Sequence, residues 1–128
     1  LQPIIHQYVS RIRQGLHHAP LRIMTSAGSQ AEAGAFQPKD SLLSGPAGGV
    51  VGAVEIGKQA GHREVIGFDM GGTSTDVSLY HQRFDYRYES KVGDQKILSP
   101  SLAIETIAAG GGSICDFDGH KFTVGPHS

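Results

Sequence analysis

Apolar residues at Ile4, Ile5, Tyr8, Val9, Ile12 and Leu16 recur at the i, i+3, i+4 spacing of one helix face. Arg11, Arg13 and Gln14 fall on the opposite side, Pro3 suits a first helical turn, and His17 and His18 end the segment. Leu21–Thr25 reads as a short strand closed by Ser26-Ala27-Gly28-Ser29. Ala31–Phe36 predicts a short helical turn from its alanines and glutamate, and Gln37–Asp40 a loop. A second helix starts with Ser44 or Gly45 as its cap and Pro46 in its first turn, and Gly61 ends it in the left-handed conformation. Val65–Phe68, apolar on both faces, predicts a central strand of a covered sheet, and Thr75–Leu79 can return antiparallel to it. Phe84, Tyr86 and Tyr88 alternate with Asp85, Arg87 and Glu89, as in a strand with one wet face, after a turn near His81-Gln82. Lys91–Ser101 reads as irregular, and Leu102–Ile107 leads into a glycine cluster. Ile114–Phe117 and Lys121–Val124 flank Asp118-Gly119, a hairpin signal. The pattern is α/β: helices and a short strand over residues 1–63, then a β-rich region over 64–128.

Composition narrows the function classes. At 128 residues the chain is long enough for one modest domain. Net charge is −1 with no basic run, which gives nucleic-acid binding no electrostatic support. The apolar runs are too short for a membrane span. One cysteine, Cys115, excludes an internal disulfide and fits a reducing, cytoplasmic compartment. No basic residue adjoins it, so a buried structural thiol is expected rather than a nucleophile. The seven histidines lack zinc-ligand spacing. The chain begins within an amphipathic pattern and stops in a turn, as expected of a piece of a larger protein.

The 18 glycines are grouped, and the groups carry the candidate chemistry. Between two apolar strands stands Asp69-Met70-Gly71-Gly72-Thr73-Ser74-Thr75-Asp76. Glycines let backbone N–H groups converge on a phosphate without side chains in the way. Thr73, Ser74 and Thr75 add hydroxyl donors, and Asp69 and Asp76 can hold magnesium through its waters. No P-loop lysine is present, and the second half is a strand rather than a helix, so the binding is not of the Walker type. Gly110-Gly111-Gly112-Ser113 is a second phosphate or nucleoside contact, or a sharp corner. Glycines at 48, 49, 52 and 57 in a helix need a reason, because each costs about 1 kcal/mol relative to alanine. Close packing on a sheet and close approach of the helix start to an anion both remain open.

Three stretches together resemble the hydantoinase A/5-oxoprolinase family: Leu42-Leu43-Ser44-Gly45-Pro46-Ala47-Gly48-Gly49-Val50, the segment Gly67–Ser78, and Thr106-Ile107-Ala108-Ala109-Gly110-Gly111-Gly112-Ser113. They stand in the family's order and spacing, and Gly67-Phe68, Ser78 and Ala108-Ala109 look nearest to its 5-oxoprolinase branch. The resemblance implies a partial actin-like, ribonuclease-H-like ATPase domain with a mixed sheet, β-hairpins and a packed glycine-rich helix. It implies ATP and Mg2+ as cofactors, held between two related domains, with an upstream Asp-x-Gly-Gly-Thr hairpin that this chain lacks. Asp69 and Asp76 would orient the hydrated metal in catalysis, and Gly71, Gly72, Thr73, Ser74 and Thr75 would hold phosphate. Ser44, Gly45, Gly48 and Gly49, with Gly110 to Ser113, would wall the nucleotide. The implied activity is ATP-dependent opening of a cyclic amide, 5-oxoproline to glutamate with cleavage of ATP to ADP and phosphate. N-methylhydantoinase, a ketone carboxylase subunit and a non-catalytic actin-like nucleotide-binding domain are the alternatives. The implied partners are the cyclic amide and the remaining domains of the same protein or a hydantoinase B-type subunit. Ser26-Ala27-Gly28-Ser29 departs from the family's more usual Ser-Asn-Gly-Gly or Ser-Asp-Gly-Gly.

Overall fold

The computed structural model describes residues 2–17, 19–92 and 94–128; His18, one of the two histidines expected to end the first helix, lies outside them. In chain order the elements are α1 (Gln2–Gly15), β1 (Arg22–Met24), β2 (Gln30–Glu32), a 3-10 turn (Pro38–Ser41), α2 (Ser44–Gln59), β3 (Glu64–Met70) and β4 (Thr75–His81). There follow β5 (Tyr86–Arg87), β6 (Ser90–Val92), β7 (Gln95–Ile97), β8 (Ser101–Leu102), β9 (Ile104–Ile107), β10 (Cys115–Phe117) and β11 (Phe122–Val124). The result is a partial α/β fold in which every strand pairing among the described residues is antiparallel. Among those residues no helix is long and apolar enough to cross a membrane.

The chain divides into two compact units, one running to Val51 and taking in Asp85–Leu102, the other Gly52–Phe84 with Ala103–Ser128. In the first unit α1 forms as its periodicity predicts, but its inward stripe is narrower. Val9 is buried and Ile5 and Ile12 are half-buried, whereas Ile4 and Tyr8 are exposed. The helical turn expected at Ala31–Phe36 is instead a strand and a turn. Residues 30–32 pair antiparallel with β1, Ile23 opposite Ala31. Cross-strand pairing overrides the weak helix preference of Ala and Glu. The turn between these strands is held by Thr25 N donating to Ser29 O at 2.8 Å and by the Thr25–Ser29 hydroxyl pair at 2.9 Å. Gly28 has φ +74, and a Cβ there would lie 2.9 Å from Leu102 Cδ1 and 3.0 Å from Val51 Cγ2.

Residues 84–102 also depart from expectation. The single alternating strand is broken: Phe84 makes an isolated bridge to Tyr80, and only Tyr86–Arg87 pair, with β8. The supposedly irregular stretch contains the hairpin β6–β7, with Lys96 Nζ at 2.7 Å from Glu89 Oε1. Pairings of two or three residues leave little periodic signal to read.

The second unit is built on the sheet β3-β4-β9. Register pairs Val65 with Tyr80, Gly67 with Ser78 and Asp69 with Asp76, which puts these residues on one face. The C-terminal half of α2 meets that face. A Cβ at Gly57 would sit 2.5 Å from Val65 Cγ2, and Lys58 Nζ stands 5.1 Å above the Tyr80 ring. The helix ends as predicted, with Gly61 at φ +86, Gly61 N donating to Lys58 O and His62 N to Gly57 O, both at 2.9 Å. The covered central strand expected at Val65–Phe68 is instead an edge strand with one open face: Ile66 is 73% and Phe68 64% exposed. An apolar run cannot by itself distinguish a strand covered on two faces from one covered on a single face.

The predicted Asp118-Gly119 hairpin forms as β10–β11, with Gly119 at φ +93. Both strands are exposed, and so is Cys115, which corrects the expectation of a buried thiol. A two-stranded ribbon has no second layer to cover it. Asp118 Oδ1 accepts the amides of Lys121 and His120, each at 2.9 Å, and these bonds hold its carboxyl below the ordinary aspartate value. Because the folded value is the lower one, the stabilisation is complete above the unfolded pKa and is lost as pH falls through the folded value. An NMR titration should therefore give Asp118 a midpoint below that of an unstructured peptide, and Asp118→Asn should remove this acid-range dependence.

Candidate phosphate and metal site

The strongest concentration of candidate residues is the connection between β3 and β4. Asp69 and Asp76 are directly opposed across the strands, followed by Met70 opposite Thr75. Opposed residues in an antiparallel pair have Cβ atoms about 4.5–5.5 Å apart, and like charges so placed repel. A cation between them would reverse the sign of that interaction. Among the described residues no group of three His, Cys, Asp or Glu side chains gathers to hold a metal. Two carboxylates suit an ion that keeps much of its water, as magnesium does.

Asp76 is half-buried, and Asp69 is exposed. The Thr106 hydroxyl donates to Asp76 Oδ1 at 2.6 Å from the opposite position on β9. Thr106 orients this carboxylate. Nothing local to residues 104–107 signals this contact, because its partner is 30 residues away.

The turn itself is closed by Gly71 N donating to Ser74 O at 2.9 Å. Neither Gly71 nor Gly72 has a positive φ, and a Cβ at Gly72 would meet nothing within 4 Å. Neither backbone strain nor packing among the described residues demands glycine at 72. The amides of Gly72, Thr73 and Ser74 make no hydrogen bond among the described residues. Three unpartnered donors at an exposed turn, beside two carboxylates, offer donors to an anion and acceptors to the waters of a cation. Thr75 differs from its neighbours: it is buried, and its hydroxyl donates to Ala109 O at 2.6 Å.

The second glycine cluster is brought directly onto this turn. Gly111 N donates to Gly71 O at 2.9 Å and Gly112 N to Gly72 O at 2.7 Å. Within the loop, Gly110 N donates to Ser113 Oγ at 2.8 Å, and Ser113 N to Gly110 O at 3.0 Å. A Cβ at Gly110 would stand 2.5 Å from Gly71 O and 2.8 Å from Gly72 C and Thr73 N. The absence of a side chain at 110 is thus explained by backbone packing.

Ser44, Gly45, Gly48 and Gly49 lie in the first unit, at the start of α2. Ser44 is the first helical residue rather than an accepting cap: its hydroxyl donates to Ser41 O at 3.0 Å, and Ala47 N donates to Leu43 O at 3.0 Å. A Cβ at Gly45 would meet nothing within 4 Å, and one at Gly48 only Met24 Cγ at 3.8 Å. Close packing accounts for Gly57, but not for these two. A polar cleft of about 530 Å³ between α1 and the β1–β2 hairpin, bordered by Arg13, Arg22 and Glu32, contains none of the candidate residues.

The hydantoinase/oxoprolinase family model matches residues 1–128. The chain is 43% identical to the 5-oxoprolinase of Saccharomyces cerevisiae and 42% identical to the 5-oxoprolinase PfmaA of Pestalotiopsis fici, covering 100% of this chain and 10% of each relative. The crystal structure of ATP-dependent caprolactamase from Pseudomonas jessenii superposes with a TM-score of 0.85 at 30% identity, over 100% of this chain and 20% of that one. The chain therefore spans about a tenth of the length of these curated relatives.

Proposed function

We propose, given that the chain belongs to the hydantoinase/oxoprolinase family, that it supplies one phosphate- and metal-holding jaw of an ATP-dependent cyclic amide hydrolase. The observation that carries this reading is the turn at 71–74, with three unpartnered amides at its tip and two opposed carboxylates at its base. The amides of Gly72, Thr73 and Ser74 receive phosphate oxygens. Asp69 and Asp76 would hold a hydrated magnesium ion, which would offset charge on the phosphates, with Asp76 aimed by Thr106. When bound, ATP supplies the phosphoryl group that activates the amide oxygen toward ring opening by water. The contribution of this segment is positional and electrostatic, since phosphoryl transfer asks mainly for alignment and charge stabilisation.

The 5-oxoprolinases among the relatives favour 5-oxoproline as the substrate and glutamate as the product. The share of those relatives that the chain covers supports a site completed by other domains or by a hydantoinase B-type partner. Its one cysteine fits a cytoplasmic setting. The test is phosphate release by the intact protein with 5-oxoproline, hydantoins and acetone compared. Stimulation by 5-oxoproline above the others is expected, and stimulation by acetone alone would move the reading to ketone carboxylation. The 128-residue chain alone should bind ATP weakly and release no phosphate. Robust turnover by the pure chain would overturn the two-jawed site.

A further inference from the structure

We infer that Gly110, Gly111, Gly112 and Thr75 are positioning residues, which lock the peptide planes of the 71–74 turn and do not themselves receive phosphate. This rests on the reading of that turn as a phosphate cradle. All four amides from Gly110 to Ser113 already have partners, so none is left to donate to an anion without breaking an internal bond. Two of those bonds end on the carbonyl oxygens of Gly71 and Gly72. In a trans peptide the C=O of one residue and the N–H of the next point in opposite directions across a rigid plane. The bonds joining 71 to 72 and 72 to 73 are trans. Capping the Gly71 carbonyl from the second loop therefore aims the Gly72 N–H away from that loop. Capping the Gly72 carbonyl does the same for the Thr73 N–H.

The interlock also hides two oxygens that would repel a phosphate. Left free to rotate, the Gly71 and Gly72 planes could present either a donor or an acceptor to the ligand. Pinned by Gly111 and Gly112, they present donors. Gly110 allows the backbones to approach closely enough, since a Cβ there would meet Gly71 O at 2.5 Å. The buried Thr75 hydroxyl ties the start of the second loop to β4 through Ala109 O at 2.6 Å. The glycine-rich pair of loops is thus one donor surface and its backing, rather than two surfaces closing on a ligand.

Amide hydrogen exchange on the 128-residue chain, followed by NMR, tests the lock without any ligand. Gly111 and Gly112 should be protected although their loop is exposed, while Gly72 and Thr73 exchange freely. Thr75→Val removes the hydroxyl at nearly constant volume and should lower the protection of Gly111 and Gly112 about tenfold, with Thr75→Ser restoring it. Gly110→Ala should abolish it; should that variant not fold, the threonine pair decides. In the intact protein, Thr75→Val should raise KM for ATP about tenfold with much less change in kcat, and Thr75→Ser should return KM to normal. Unprotected Gly111 and Gly112 amides would overturn the lock. An unchanged KM in an active Thr75→Val protein would overturn the positioning role alone. A wild-type protein that releases no phosphate would remove the cradle itself, and the positioning role with it.

Discussion

Asp76→Ala in the intact protein should lower ATP-coupled ring opening by on the order of 10³-fold or more, with little loss of stability. The two effects separate because the carboxylate occupies a poor structural position and a good electrostatic one. On the structural side, the variant removes one hydrogen bond, from the Thr106 hydroxyl at 2.6 Å. Thr106 is exposed, so water replaces the lost acceptor and the cost is about 1 kcal/mol or less. It also removes the repulsion between Asp76 and the opposed Asp69, which offsets part of that cost. On the functional side, half the anionic charge available to a cation at this turn is gone. Asp76→Asn sharpens the result, since its amide oxygen can still accept from Thr106 while the charge is lost. Phosphate release and a thermal melt, measured together, check the prediction. A wild-type rate in either variant would eliminate the metal role.

Gly28→Ala should destabilise the chain by about 2–4 kcal/mol. Two causes act together. The residue has φ +74, a conformation that L side chains adopt at a cost of about 1–2 kcal/mol. The new Cβ would also press on Leu102 Cδ1 and Val51 Cγ2 at 2.9 and 3.0 Å. These are side-chain ends that can shift a little, which keeps the overpacking part at about 1–2 kcal/mol. The melting temperature should fall by roughly 10 °C. Gly34→Ala is the control, because Gly34 has no positive φ and a Cβ there would meet nothing within 4 Å. It should be neutral or stabilise by up to about 1 kcal/mol, through a less disordered unfolded chain. Equal melting temperatures for the two variants would show that the 26–29 turn does not hold the position described.

Much of the fold was legible wherever the signal was local. The 3.6-residue period marked α1, glycine in the left-handed conformation marked the end of α2, and Asp118-Gly119 marked the last hairpin. The strand pair flanking the 71–74 turn was equally plain. Where pairing partners are distant or strands very short, the reading failed. Ala31 and Glu32 look helical until β1 pairs with them, and the tyrosine alternation at 84–89 suggests one strand where only two residues pair. Cys115 reads as core in a β pattern, yet it and the rest of its strand are exposed.

The candidate site divides in the same way. Sequence alone determined which residues gather at the Asp69–Asp76 turn, because a hairpin of this length brings its two ends into register by chain connectivity. It also singled out two glycine clusters, rather than a basic patch or a histidine set, as the candidate site, and showed that the chain shares its motifs with one family. Only the tertiary structure decided what each glycine is for. Gly57 makes room for Val65, Gly110 makes room for the backbone of the 71–74 turn, and Gly72 makes room for nothing among the described residues. The same letter in the sequence serves packing, interlock and an open donor, because glycine removes a side chain whatever the neighbour. Which neighbour stands there is settled by contacts across tens of residues, and those follow from the folded backbone.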